Sequence, residues 1–215
     1  KIGVIGVGHL GQQHARILSS LKGVQLVGVV DASRQQAENI AMRYSTTPYT
    51  SHHELLPKVD AAIIVVPTRF HFDVARDFLE KGKALLIEKP ITIEPEKAYQ
   101  LCELAKSKNT TIQVGHVERF NPAYEALCDL PMKPRYIRAE RLGGFSGRSS
   151  DTGVVLDLMV HDIDLVCSLV QSDVNSVSGL GVAVLGGHED IAQARLTSAN
   201  DTICDLSARR AHPQA

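Results

Sequence analysis

Tryptophan is absent from this chain, and aromatic residues make up only 5% of it. Charge of neither sign prevails: 23 lysines and arginines stand against 24 aspartates and glutamates in 215 residues, a formal net charge of −1. A protein that grips nucleic acid or an anionic membrane surface carries a basic excess, so this balance speaks against both. Long hydrophobic runs are missing as well; the longest, such as residues 61–66, fall far short of the roughly 20 apolar residues that span a bilayer. No signal-peptide pattern opens the chain, since Lys1 leads directly into a β-branched run. Cysteine is sparse. Cys102, Cys128, Cys167 and Cys204 are scattered with no C-x-x-C pair, which reads as buried thiols in a reducing cytoplasm and speaks against a disulfide framework or a zinc site. What remains is 44% apolar, with length for one to two domains and an ample core.

The opening stretch organises the rest. Residues 1–5 read as a buried strand, Gly6-Val7-Gly8-His9-Leu10-Gly11 follows, and residues 12–18 carry helix formers without a breaker. Strand, glycine turn and helix in that order are the setting in which G-x-G-x-x-G marks a dinucleotide site. Gly6 makes the tight turn, Gly8 lets a pyrophosphate approach the backbone, and Gly11 lets helix and strand pack closely. The N–H groups of His9 and Leu10 then point with the helix dipole at phosphate oxygens. A second apolar run, 24–30, ends in Asp31, whose carboxylate suits the adenosine ribose hydroxyls and repels a 2′-phosphate. The expected cofactor is therefore NAD rather than NADP, although Arg34 is close enough to hold an extra phosphate.

Ser33 reads as the N-cap of a helix over 34–44, residues 45–50 with Pro48 as a turn or short extended piece, and Ser51 or His52 as the start of a brief helix to Leu56. Residues 59–66 form a continuously apolar strand, the pattern of a sheet covered on both faces. Thr68 is placed to cap a helix over 70–81, Gly82 closes it, and strand 84–87, helix 94–106 and strand 111–114 follow. This alternation predicts a doubly wound α/β parallel sheet, whose ligands bind outside the carboxyl ends of the strands. From Asn121 the pattern changes: helix 123–128, strand 135–141, loop 143–152, helix 154–170, then antiparallel strands over 174–185, 191–197 and 202–208. Two domains are expected, 1–120 and 121–215, the second α+β.

Chemistry is expected at two places. Glu88-Lys89-Pro90 follows a buried strand, and the proline restricts Lys89 to extended backbone beside the nicotinamide pocket. An ammonium there stabilises charge on a substrate oxygen, whereas an isolated E-K-P is more often a surface turn. On the apolar helix 154–170, Asp157, His161, Asp164 and Ser168 lie at i, i+4, i+7 and i+11, one narrow polar stripe. Charges on a buried helix must be paired or face a cavity, and Asp157 one turn before His161 suits an oriented general base. A metal reading of Asp157, His161, Asp162 and Asp164 is weak, with one histidine and Asp162 pointing elsewhere; no metal site is expected. His71 is placed to touch the cofactor, Arg119 and Asn121 lie at the domain junction, and Arg148 in the serine-rich loop is placed to meet a substrate phosphate.

Taken together, GVGHLG, Asp31, EKP at 88–90, GHVERFNP at 115–122 and D-x-x-x-H at 157–161 resemble the Gfo/Idh/MocA oxidoreductase family over nearly the whole chain. The resemblance implies a Rossmann domain followed by an α+β domain whose open, mostly antiparallel sheet often forms a dimer or tetramer interface. It also implies that Lys89, Asp157 and His161 carry catalysis; Thr68 and Glu88 are expected to join Gly6, Gly8, Gly11, Asp31 and His71 around NAD, and Arg119, Asn121 and Arg148 to meet the substrate. GHVERFNP with FSGRSSDTGVVLDLMVHDIDL is similar to members acting on UDP-N-acetylglucosamine at C3. A redox-neutral NAD-dependent glycoside hydrolase and a non-catalytic NAD sensor remain open beside a sugar dehydrogenase. Members are longer than this chain, which stops after what should be a central strand of the second sheet; a missing end is favoured over a shortened paralogue, because an incomplete sheet leaves an exposed edge.

Overall fold

The computed structural model describes residues 1–144 and 152–211, and the chain divides into two compact units, Lys1–Gly115 and His116–Ala215. The first unit runs β1 (Ile2–Ile5), α1 (Gly11–Ser20), β2 (Leu26–Val30), α2 (Arg34–Arg43), β3 (Thr47–Tyr49), α3 (His52–Leu55), β4 (Ala61–Ile64), α4 (His71–Glu80), β5 (Ala84–Ile87), α5 (Pro95–Ser107) and β6 (Ile112–Val114). Its six strands are all parallel in the order β3-β2-β1-β4-β5-β6, the arrangement of a dinucleotide-binding sheet.

Successive strand residues point to opposite faces, so the continuous apolar runs feed two cores. Val4, Val29 and Ile63 pack with Ala15, Leu18, Ile40 and Ala41 on one face. Ile5, Val30, Ile64 and Ile87 pack with Val74, Phe78, Leu79 and Leu101 on the other. Each fully buried side chain of this size stabilises by about 1.5–3 kcal/mol. Ser33 and Ser51 cap α2 and α3 as expected, accepting from the N–H groups of Gln36 and His53. Thr68 does not cap: it begins a 3₁₀ turn, Thr68–Phe70, that leads into α4. The Pro48 piece is a genuine edge strand, Val29 facing Pro48, a position where a missing N–H is tolerated.

The second unit holds α6 (Pro122–Cys128), β7 (Tyr136–Leu142), a π-helical turn (Val155–Met159), α7 (Val160–Val170), β8 (Val174–Val182), β9 (Ile191–Ser198) and β10 (Ile203–Arg209). Its sheet has the order β7-β10-β9-β8, so β10 is internal. β8–β9 and β9–β10 pair antiparallel, while β7 and β10 are parallel, making the sheet mixed. One face carries Ile137, Ala139, Leu196, Cys204, Leu206 and Ala208 against Val154, Met159, Val166 and Val170. The other is an open groove of about 550 Å³ lined by Tyr136, Arg138, Leu180, Arg195 and Asp205 among others.

Among the described residues no helix is long and apolar enough to cross a membrane. All four cysteines are free thiols, but only Cys204 is buried; Cys102, Cys128 and Cys167 are exposed, because each lies on the outer side of its helix.

Candidate active site

The glycine turn has the geometry its sequence demands. Gly6 sits at φ +87°, and a Cβ there would lie 2.7 Å from the Val65 carbonyl oxygen. A Cβ on Gly11 would meet the Gly6 carbonyl oxygen at 1.8 Å, so both positions admit only glycine. Gly8 differs: a Cβ would meet nothing within 4 Å. Its bare backbone faces open space at the start of α1, flanked by exposed His9 and Leu10, which is the cradle a diphosphate needs. Asp31, at the end of β2, is tied to this turn. Its Oδ2 accepts from the Val7 N–H at 3.1 Å and its Oδ1 from the Ser33 N–H at 2.9 Å. Gln36 closes the same corner by donating to the Val7 carbonyl at 2.7 Å. Arg34 turns away, exposed and 3.8 Å from Glu38.

Across the sheet, β5 delivers Glu88-Lys89-Pro90, with a cis Lys89–Pro90 bond. The Glu88 carboxylate pairs with His14 of α1 at 3.0 Å and accepts from the Lys89 N–H at 3.2 Å. Burial pushes this carboxyl up, but the hydrogen bond and charge of His14 together with Lys89 outweigh it, and Glu88 is held below its ordinary value. Glu88 also packs close to Gly115, where a Cβ would stand 3.1 Å from the carboxylate, tighter than an ordinary contact. His71 is 1% exposed, with Nδ1 2.9 Å from the Pro90 carbonyl oxygen and Nε2 2.8 Å from that of Val66. Both nitrogens are engaged by backbone carbonyls, and the ring ties the end of β4 to the proline after Lys89.

In the second unit, the expected helix over 154–170 is α-helical only from Val160; Asp157 lies in the π-helical turn before it. The wider i→i+5 turn interrupts the single polar stripe: Asp157 lies within that turn, whereas His161, Asp164 and Ser168 all lie on α7. The cause is nonlocal. Glu189 accepts from the Val154 N–H through its carbonyl (2.8 Å) and from the Val155 N–H through its carboxylate (3.2 Å). Gly153 lies so close to that carboxylate that a Cβ would meet it at 1.9 Å. Asp162 does point elsewhere, 7% exposed and held by Arg141 at 2.8 Å. Asp164 receives two hydrogen bonds from Arg119, at 2.6 and 2.7 Å, and lies 3.8 Å from His116 Nδ1. Glu118 stands near His161 and Arg141; the Asn121 amide, with those two charges, holds its carboxyl low against burial.

Arg119 and Asn121 thus have framework tasks. The Arg119 guanidinium is committed to Asp164, and the Asn121 side-chain oxygen caps α6 by accepting from the Ala123 N–H at 3.0 Å. Arg148 lies outside the described residues. Lys89 belongs to the first unit and Asp157 and His161 to the second.

Residues 1–116 match the oxidoreductase family model described as an NAD-binding Rossmann fold, and residues 132–215 match the Gfo/Idh/MocA C-terminal domain. The chain belongs to the Gfo/Idh/MocA oxidoreductase family. Within that family it is 39% identical, over 98% of its length and 67% of the relative's, to the UDP-N-acetylglucosamine 3-dehydrogenase of Acidithiobacillus ferrooxidans. It is 32% identical to the scyllo-inositol 2-dehydrogenase (NAD(+)) of Bacillus subtilis, over 83% of this chain and 56% of that one. The solved structure of the Acidithiobacillus enzyme superposes with a TM-score of 0.92, covering 99% of this chain and 70% of that chain at 38% identity. This Gfo/Idh/MocA chain thus spans between about half and 70% of the relatives it matches.

Its Rossmann unit is NAD-binding, and the open backbone at Gly8 beside Asp31 fits that cofactor. His14, Gln36, Glu118 and Glu189 were not legible as site residues in the sequence. Each acts on a partner 23 or more residues away, except for the local Asn121 bond of Glu118, and spacing along one element gives no sign of such pairings.

Proposed function

We propose that this protein is an NAD-dependent dehydrogenase that oxidises a ring hydroxyl of a nucleotide sugar, of the UDP-N-acetylglucosamine class, to a ketone. The observation that carries the reading is the 39% identity to a UDP-N-acetylglucosamine 3-dehydrogenase along 98% of this chain. Gly6, Gly8, Gly11 and Asp31 hold the cofactor, with Thr68 and Glu88 at neighbouring strand ends. Bound NAD supplies the hydride acceptor. His161 takes the proton of the sugar hydroxyl as its carbon gives up hydride, Asp157 steadies the imidazole, and the Lys89 ammonium holds the oxygen as it becomes a carbonyl. The free thiols favour a reducing cytoplasm, and the open sheet face of the second unit is read as the seat of a second copy.

Lys89→Met and His161→Ala test the assignment. Each is expected to lower NADH formation from UDP-N-acetylglucosamine by about 10²-fold or more, while calorimetry shows NAD still bound. Near-normal turnover in both variants overturns it. Release of free sugar without net NADH moves the reading to the redox-neutral hydrolase.

A further inference from the structure

A second cluster of ionisable groups lies in the first unit, on α3 and α4. We propose that His52, His53 and Asp77 form a binding site for a divalent transition ion of the zinc class. The His52 Nε2 and His53 Nε2 atoms lie 2.9 and 3.8 Å from the same oxygen, Asp77 Oδ2, and the three ligand atoms all fall within 4.8 Å of one another. Around a tetrahedral zinc ion with bonds of about 2.0–2.1 Å, neighbouring ligand atoms stand about 3.3 Å apart. The two distances to Asp77 bracket that spacing, and all three ligand atoms lie close enough for side-chain rotation to bring them around one ion.

The backbone under the ligands is fixed. Ser51 caps the first turn of α3, and Leu55 one turn on is 0% exposed. Asp77 precedes Phe78, also 0% exposed, in α4. His52 and Asp77 are mostly covered, whereas His53 is 66% exposed on its side chain, which leaves a solvent side for water ligands. Two nitrogens and one carboxylate oxygen suit a borderline ion such as Zn²⁺ and not Mg²⁺ or Ca²⁺, which take oxygen donors.

A plain His52–Asp77 ion pair explains only part of the arrangement. His53 is drawn to the same oxygen, with its ring centroid 4.1 Å from that of His52. Two imidazoliums that close repel, whereas one metal ion takes both rings in neutral form. Arg76 competes only at the other oxygen, 3.7 Å from Asp77 Oδ1. Its charge is shared with Asp73 at 3.6 Å and Glu80 at 4.0 Å.

The test is calorimetric titration of the whole reduced protein with Zn²⁺ and, separately, with Mg²⁺, alongside His53→Ala and Asp77→Asn. The exposed His53 can be removed without threat to the fold. One Zn²⁺ per chain is expected, weakened at least about tenfold by either substitution, with no Mg²⁺ uptake. Added Co²⁺ should give the visible bands of a tetrahedral nitrogen–oxygen site in the parent and not in His53→Ala. Absence of saturable binding, binding indifferent to both substitutions, or a thiolate–cobalt spectrum overturns the proposal. None of these readouts depends on dehydrogenase turnover, so the two assignments fail separately.

Discussion

At the scale of single residues, the three glycines of the opening turn differ in what a methyl group would meet, and that difference separates folding from binding. Gly11→Ala drives a Cβ into the Gly6 carbonyl oxygen at 1.8 Å, and urea unfolding should register a loss of about 3 kcal/mol or more. Gly8→Ala meets nothing within 4 Å; its stability should stay within about 0.5 kcal/mol of the parent, while NAD affinity falls about tenfold, or 1.4 kcal/mol. An unchanged NAD titration for Gly8→Ala would remove the cradle from the argument. The glycines, Asp31, Lys89 and the Asp157–His161 pair could be singled out in the sequence because each belongs to a motif written along one short segment. His71 could be singled out too, but its task could not: Pro90 lies 19 residues on, and nothing in the chain says which carbonyl a ring will find.

At the scale of elements, consecutive strands and helices of the first unit were legible almost throughout, because period and caps are local signals. The π-helical turn was not. Residues 154–160 are apolar apart from Asp157 and free of breakers, and propensity does not distinguish an i→i+4 from an i→i+5 ladder there. What sets the turn is a brace from another strand connection. Glu189 takes the first N–H groups, and its neighbour Asp190, 0% exposed, accepts from Val184 and Leu185 N–H and from Arg210 Nε at 2.7 Å. Arg210 in turn donates to the Thr152 carbonyl at 2.8 Å.

The N–H groups of Leu185 and Val184, then Arg210, hold the Asp190 carboxyl well below the ordinary carboxylate range, against the opposing effect of burial. With the folded value below an unfolded value of about 3.9, the native state binds fewer protons in acid. The stability is therefore fully present above about pH 5 and drains away as pH falls toward the folded value. Thermal melts from about pH 6 to pH 2 should fall more steeply for the parent than for Asp190→Asn, which starts lower and stays flatter. Parallel curves would refute the brace.

At the scale of the whole molecule, the second sheet buries one face under its helix and leaves the other bare. Leu180 is 58% and Val182 48% exposed there, beside the Arg195–Asp205 pair and Tyr136, which donates to Asp205 at 2.9 Å. If a second copy covers this face, light scattering should give a multiple of the 23.4 kDa chain mass, and Leu180→Glu should return the monomer with its melting temperature nearly unchanged. A monomeric parent would sink the idea.

The internal seat of β10 has a further consequence, for the order of events on the ribosome. The first unit closes its sheet largely from segments that emerge one after another, so it can settle while synthesis continues. β7 instead has β10 as its sheet neighbour, Tyr136 facing Ile203 across a sequence separation of 67, and long loops of this kind are slow to close. The strand must wait, unpaired along its edge, until nearly the last residues described have left the exit tunnel. The unit that carries the imidazole thus completes its sheet later in synthesis than the unit that carries the glycine turn.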